Sequence, residues 1–198
     1  NIFYIKEFTV PAAEKDKVHY LYFDGVYTNP SFVINGAFVK KFHHGYVPCC
    51  MRIDKYIRYD EPNVLKVSIR GTALPNSRWY SGAGIYRPVT LWVGPEAHLL
   101  LDGLRMRTVS IDPPEVEVTA AASAPGTVQL QVLDGTTVLA SASAEAGKPV
   151  RLKLPEAALW SPEHPQLYTL QAAYGTDTAA ARFGIRSLAW GREGLLLN

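Results

Sequence analysis

Thr127-Val128-Gln129-Leu130-Gln131-Val132-Leu133-Asp134-Gly135-Thr136 sets the fold class of this 198-residue chain. Val128, Leu130 and Val132 alternate with Thr127, Gln129 and Gln131, and a strand sends successive side chains to opposite faces. One face is then apolar and the other wet, as in an antiparallel sheet lying on a core. Asp134-Gly135 follows, a dipeptide that tolerates the positive φ of a type I′ turn. The spacing predicts a hairpin joining Val128–Leu133 to Thr136–Ala140.

The same period of two recurs along the chain, while helical periodicity is almost absent. Leu65, Val67 and Ile69 alternate with Lys66 and Ser68. Val116 and Val118 alternate with Glu115, Glu117 and Thr119, and Val150, Leu152 and Leu154 with Arg151 and Lys153. Asn35-Gly36 predicts a second hairpin, joining Ser31–Ile34 to Ala37–Lys41. Val18–Phe23 is apolar on both faces, as a strand inside a sandwich would be.

Composition bounds the rest. Hydrophobic residues at 47% and charged residues at 19% describe an ordinary globular protein. A net charge of +2, with no basic run longer than Lys40-Lys41, argues against a nucleic-acid partner. No apolar stretch approaches the ~20 residues that span a bilayer, so no membrane partner is expected. Asn1 opens directly into strand-like Ile2-Phe3-Tyr4-Ile5, which suggests that sequence upstream has been cut away. Cys49 and Cys50 are neighbours and point apart in a strand, so an ordinary disulfide between them is excluded. Two reduced thiols, a strained vicinal disulfide and an intermolecular bond all stay open.

Near Gly94-Pro95 the character of the chain changes: 17 of its 22 aromatic residues lie before that point. Ala, Thr and Ser dominate afterwards. Two all-β domains joined around residues 94–97 fit this shift. The second, with regular strands and turn signals, suits a seven-stranded immunoglobulin-like sandwich. The tail Trp190–Asn198 has no partner strand in this scheme.

Pro75-Asn76-Ser77-Arg78-Trp79-Tyr80-Ser81-Gly82-Ala83-Gly84-Ile85-Tyr86-Arg87 resembles a signature of glycoside hydrolase family 2, the β-galactosidase and β-glucuronidase family. Phe23-Asp24-Gly25-Val26-Tyr27, Phe32-Val33-Ile34-Asn35-Gly36 and His44-Gly45-Tyr46-Val47-Pro48 are similar to successive segments of that family's sugar-binding domain. Leu159-Trp160-Ser161-Pro162, Pro165-Gln166-Leu167-Tyr168 and Phe183-Gly184-Ile185-Arg186 resemble the end of its immunoglobulin-like domain, and Gly194–Asn198 the approach to its catalytic barrel. The resemblance implies a truncated jelly-roll (galactose-binding-like) β-sandwich over 1–95, an immunoglobulin-like β-sandwich over 96–188, and over 189–198 the start of a linker into an absent barrel. It also implies that the first jelly-roll strands are missing, which would expose a sheet edge. Where the family usually places an aromatic residue and then an Asp, this chain has Cys49 and Arg52.

Retaining glycosidases flank the scissile bond with two carboxyl groups about 5–5.5 Å apart. In the family the acid lies in an Asn-Glu pair on a barrel strand, and no Asn-Glu pair occurs here. Glu115 and Glu117 sit on the outward side of an alternating strand, and Glu61, Glu145 and Glu163 in polar turn regions. No catalytic residue is assigned. The resemblance makes Asn76, Arg78, Trp79 and Tyr80 the substrate-binding candidates, since they combine donors, a cation and two aromatic faces. The same residues would equally serve to plug an interface with the barrel. His43 and His44 are adjacent and point apart, which fits turn residues better than metal ligands. Gly82-x-Gly84 lacks the third glycine of a dinucleotide fingerprint, because Arg87 stands there.

What the resemblance implies, then, is a non-catalytic part of a β-galactosidase-like enzyme, with no cofactor and no metal of its own. Its expected partners are the missing (β/α)8 barrel, the parent's carbohydrate substrate and a further copy in a homo-oligomer. By analogy with bacterial polysaccharide degraders the parent would be periplasmic or secreted. An autonomous carbohydrate-binding module and a purely structural pair of sandwiches are the competing readings.

Overall fold

Each alternating run named above becomes a strand in the computed structural model of the chain, which describes residues 2–70 and 82–198. The chain divides into two units between Glu96 and Ala97.

The first unit contains β1 (Ile2–Thr9), β2 (Val18–Phe23), β3 (Val26–Tyr27), β4 (Ser31–Ile34), β5 (Ala37–Lys41), β6 (Cys49–Arg52), β7 (Pro62–Ile69), β8 (Gly84–Ile85) and β9 (Val89–Gly94). One sheet runs β1-β7-β4-β5, a second β6-β2-β9, and β3 pairs with β8. Phe32, Ile34, Leu65, Val67 and Ile69 from the first sheet meet Leu21, Phe23, Cys49 and Met51 from the second in one core. The β4–β5 hairpin forms where the sequence placed it, with Asn35 at φ 50° and Gly36 at φ 82°. Both signs are those a type I′ turn requires. In β2 the apolar reading of both faces needs one amendment: His19 is fully buried there, with Nδ1 3.3 Å from Asp54 Oδ1.

The open side of this sandwich lies along β1 and β9, which are both edge strands. Tyr4, Lys6 and Phe8 stand opposite Val67, Leu65 and Asn63, so they belong to the core-facing side of β1. Val89 and Leu91 stand opposite Phe23 and Leu21 and face the same way on β9. These side chains border an apolar groove of about 380 Å³ floored by Leu21, Phe23, Leu65 and Val67.

The second unit contains β10 (Leu99–Ile111), β11 (Pro114–Ala122), β12 (Thr127–Asp134), β13 (Thr137–Glu145), β14 (Val150–Lys153), β15 (Tyr168–Tyr174), β16 (Asp177–Phe183), β17 (Leu188–Gly191) and β18 (Gly194–Leu197). Sheets β10-β11-β14 and β13-β12-β15-β16 together hold seven strands, the number expected of an immunoglobulin-like sandwich. Val116, Val118, Leu152 and Leu154 pack against Val128, Leu130, Val132, Tyr168 and Leu170 between them.

Two sequence expectations are corrected here. The β12–β13 turn sits one residue later than Asp134-Gly135: Asp134 pairs with Thr137, and the loop is Gly135-Thr136. Gly135 has φ 57° and Thr136 does not share it, the pattern of a glycine-first turn rather than type I′. A bulge accompanies the shift, because Val132 pairs with Ala140 and Leu133 with Val138, skipping Leu139. The tail, expected to lack a partner strand, forms its own hairpin of β17 and β18. The Asn198 carboxamide fastens it, accepting from Ser187 N–H at 3.0 Å and donating to the Trp160 carbonyl at 3.0 Å.

Candidate functional site

Asn76, Arg78, Trp79 and Tyr80 lie outside the described residues. What is described is how the chain on either side of 71–81 is held. Arg70 N–H donates to the Thr28 carbonyl at 3.2 Å, and β8 pairs with β3 through Val26↔Ile85 and Tyr27↔Gly84. Beyond the strand, Tyr86 N–H donates to Gly25 O at 3.2 Å and Asp24 N–H to Pro88 O at 3.1 Å. Arg87 and Asp24 close this stitch with an ion pair at 3.2 Å. The Arg70–Thr28 bond holds the chain before the segment, and the short pairing of β3 with β8 holds the chain after it.

Beside that anchor lies a cavity of about 370 Å³ lined by Tyr4, Tyr27, Tyr46 and Tyr86 together with Gly82–Ile85. Tyr27 and Tyr46 face each other with ring centroids 5.2 Å apart and planes tilted by 52°. His44 meets Tyr46 edge-on at 5.9 Å, and its Nδ1 accepts the Tyr46 N–H at 3.1 Å. The Tyr86 hydroxyl donates to Gly45 O at 2.8 Å. Glycine lies beneath three of the rings, and at Gly45 a side chain would meet the base of the Tyr27 ring. A Cβ on Gly25 would lie 2.5 Å from Tyr86, on Gly45 2.3 Å from Tyr27, and on Gly84 2.8 Å from the Tyr4 hydroxyl.

Sequence reasoning missed this cavity, since its tyrosines come from four distant positions with no spacing rule. The local signal was a glycine within two residues of a tyrosine in each of the quoted stretches, at Gly25/Tyr27, Gly45/Tyr46 and Gly84/Tyr86.

The other residues singled out in the sequence find structural employment. Glu117 pairs with Arg107 at 2.8 Å and with Arg151 at 3.5 Å, on the outward face as expected. The hydrogen bond from Arg107 is the main reason its carboxyl sits below the usual range. Arg52 is gripped by Glu96 through Nη1 at 3.1 Å and Nη2 at 2.8 Å, and by Asp54 through Nε. Those two carboxylates, Glu96 foremost, hold its guanidinium firmly charged. Cys49 is buried in the core and Cys50 half-buried, both as thiols. The Trp160 backbone N–H donates to Ile185 O at 2.8 Å, and its ring lies under the Arg186 guanidinium, 4.6 Å from Cζ to the centroid. Among the described residues, no group of three or more His, Cys, Asp or Glu side chains is placed to hold a metal ion.

A third surface lies on the tail. Leu188 and Trp190 stand opposite Leu197 and Leu195 across the β17–β18 pair and so share one face with them. Leu188 is 57%, Trp190 84% and Leu195 56% exposed. Such an apolar stripe is of the kind that marks a protein interface.

Comparison with known proteins follows from this geometry. The sequence profile of the glycosyl hydrolases family 2 matches residues 105–186. Beta-galactosidase BoGH2A of Bacteroides ovatus is 36% identical, over 98% of this chain and 26% of its own length. A putative beta-glucuronidase of Formosa agariphila is 31% identical, over 98% of this chain and 20% of its own. The crystal structure of a glycosyl hydrolase family 2 member from Bacteroides cellulosilyticus matches with a TM-score of 0.86 and 27% identity, over 99% of this chain and 28% of that one. The chain thus spans about a quarter or less of the length of these curated relatives.

Proposed function

Because the chain belongs to glycosyl hydrolase family 2, we propose that it is the accessory sandwich pair of a β-galactosidase-like enzyme that hydrolyses terminal β-glycosides. Its work is to brace a catalytic (β/α)8 barrel and to shape the sugar pocket from one side. Asn76, Arg78, Trp79 and Tyr80 are the residues we assign to the sugar. Aromatic faces there meet the C–H patches of a pyranose while the amide and guanidinium meet its hydroxyls. The acid and the nucleophile belong to the barrel, in keeping with a pair of carboxyl groups about 5–5.5 Å apart for a retaining route.

The observation that carries the bracing role is the exposed apolar face of Leu188, Trp190 and Leu195. Its composition is that of an interface core, with an aromatic anchor and no charge on that face. The Arg70–Thr28 bond and the short β3–β8 pairing support the second role, since they hold the two flanks of 71–81 on the sandwich.

The test uses the coding sequence beyond Asn198 and its full product. We expect that sequence to encode a barrel with two catalytic glutamates, and the full product to hydrolyse a chromogenic β-galactoside while the 198-residue chain alone does not. Trp79→Ala in the full product should lower kcat/KM by about 10- to 100-fold, the loss of roughly one or two good contacts to the transition state. Turnover by the purified 198-residue chain, or an unchanged kcat/KM in Trp79→Ala, would overturn the proposal.

A further inference from the structure

We infer that the outward face of the sheet β13-β12-β15-β16 is an isologous contact surface for a second copy of this chain. It goes beyond the proposed function, because neither the barrel nor residues 71–81 take part.

Strand pairing lays this face out in rows. Ser143, Gln129, Ala173 and Thr178 stand side by side across the four strands in one row. Ser141, Gln131, Gln171 and Ala180 form the next. None of these residues is charged, and all except the half-buried Ala173 are exposed. Beside the glutamines, the short side chains of Ala173, Thr178 and Ala180 leave a depression of about 520 Å³. The face therefore has a ridge and a trough. Its charges lie in the flanking rows, Glu145 beside Thr127 at one end and Arg182 beside Thr169 at the other. In the two central rows a nucleic acid would find no cation, and an apolar helix no large apolar side chain.

The layout is complementary to itself. A two-fold axis parallel to the strands, midway between β12 and β15, lays β12 over the copy's β15 and β13 over its β16, with each row over itself. Gln129 then stands over the copy's Ala173, a long side chain against a short one. The Ser143 hydroxyl donates to Gln129 Oε1 at 2.6 Å, which orders that glutamine in advance and leaves its Nε2 to donate. Gln131 meets the copy's Gln171, and a carboxamide carries both donors and acceptor, so the two can pair. Ser143 meets Thr178 and Ser141 meets Ala180, small against small. A charge near such an axis meets its own like in the copy, the usual obstacle to an isologous contact. Here Glu145 and Arg182 stand at diagonal corners, and neither is carried onto its like. Four strands about 4.8 Å apart and four rows about 6.8 Å apart cover roughly 500 Å² per copy, so the pair buries about 1,000 Å², the lower bound of a specific interface.

Sedimentation velocity and amide NMR follow the purified 198-residue chain from about 5 to 500 μM, with Ile5→Lys carried throughout so that pairing along β1 does not enter. We expect a monomer–dimer equilibrium with a Kd of about 10–100 μM and concentration-dependent shifts centred on Gln129, Gln131 and Gln171. The doubly acidic variant, Gln131→Glu with Gln171→Glu, should weaken the dimer at least about tenfold, because it sets like charges against each other across the axis. The doubly basic variant, Gln131→Lys with Gln171→Lys, should do the same. An equimolar mixture of the two should restore association to within about threefold of the parent affinity, which misfolding of either variant could not produce. A chain that stays monomeric at every concentration, as it would if this face served a different protein, overturns the inference. So does an affinity unmoved by either charge pair, or a mixture that fails to associate.

Discussion

Removing the side chain of Asn63 should unfasten the loop between β6 and β7 from the β4–β5 hairpin. The residue has no exposed surface, and its carboxamide makes four hydrogen bonds. Oδ1 accepts from Arg58 N–H at 2.7 Å and from Asn35 Nδ2 at 2.8 Å, while Nδ2 donates to Arg58 O at 2.8 Å and Glu61 O at 3.2 Å. Asn35 is the first turn residue of the hairpin, and it is tied in further by its bonds to Tyr56 O at 2.9 Å and from Val64 N–H at 2.9 Å. Asn63→Ala strands the Arg58 N–H and carbonyl, whereas Asn35 keeps its bond to Tyr56. Two groups at about 1–3 kcal/mol each would cost about 2–6 kcal/mol if sealed from water. Arg58 and Glu61 are themselves exposed, so the lower half, about 2–4 kcal/mol, is expected.

Asn63→Asp sharpens the test through pH. The carboxyl keeps the acceptor role of Oδ1 but, once ionised, sets a negative oxygen against the Arg58 and Glu61 carbonyls. Its folded pKa is then raised above the unfolded value of about 3.9. Below that unfolded value the acid form replaces one of the amide's two donated bonds, and the variant is at its closest to wild type. As pH climbs through the raised folded pKa that stability drains away, so the variant should be weaker at pH 7 than at pH 4 relative to wild type. Urea unfolding followed by near-ultraviolet circular dichroism reads the first unit, which holds most of the aromatic residues. At a slope of about 1–3 kcal/mol per molar urea, Asn63→Ala should move the midpoint by about 1–2 M. A loss under about 0.5 kcal/mol, or an Asp variant relatively stronger at pH 7, would refute the reasoning.

In the second core, Leu130→Ala removes a side chain buried between the two sheets and should cost about 2–5 kcal/mol by thermal unfolding, against under about 1 kcal/mol for the exposed Leu139→Ala. Burial raises the Cys49 thiol despite the lowering field of Lys40, so a disulfide reagent should react with one thiol in the native chain and with two after denaturation; two equally fast thiols would contradict this. The Glu117 carboxyl, held down first by Arg107 and then by Arg151, should titrate by carbon NMR below the ordinary value of about 4.3. Its folded pKa is the lower one, so its contribution to stability is present above the unfolded pKa and lost as pH falls through the folded pKa, and salt should shrink the shift. The apolar edge strand β1 should make the chain self-associate at high concentration, and Ile5→Lys should reduce that in sedimentation velocity; an association constant unmoved by the charge would put the contact elsewhere.

The strands were legible because a two-residue period is imposed directly by burial. Leu65, Val67 and Ile69 are buried while Lys66 stays out, as their alternation implied. Turn chemistry was legible where one dipeptide carried the whole requirement, at Asn35-Gly36. It misplaced the next turn because the bulge at Leu139 resets the register of β13, and a bulge leaves no mark in an alternation read strand by strand. The tail hairpin was missed for a related reason. Its turn is Arg192-Glu193, which lacks the residues that favour positive φ, and its apolar face points outward rather than into a core. Cys49 and Arg52, the departures from the family pattern, needed coordinates to interpret: one fills the core, the other grips Glu96 and Asp54. The candidate positions 76–80 were named from motif alone and lie outside the described residues, so nothing about their geometry entered the site.

The three aromatic or apolar surfaces named above differ in the chemistry of their described lining residues. The β17–β18 face presents Leu188, Trp190 and Leu195 with no polar atom except the indole N–H, so water is displaced from it at little polar cost. A large partner that stays in place gains most from such a face. The groove between β1 and β9 is as apolar but carries Lys6 on one wall, an inward charge of the kind that discourages indiscriminate strand pairing. The tyrosine cavity has the most phenol hydroxyls of the three among its described lining residues, and hydroxyls resist permanent burial unless each finds a partner. Polar content, rather than area or exposure, is therefore what distinguishes these three surfaces among the described residues.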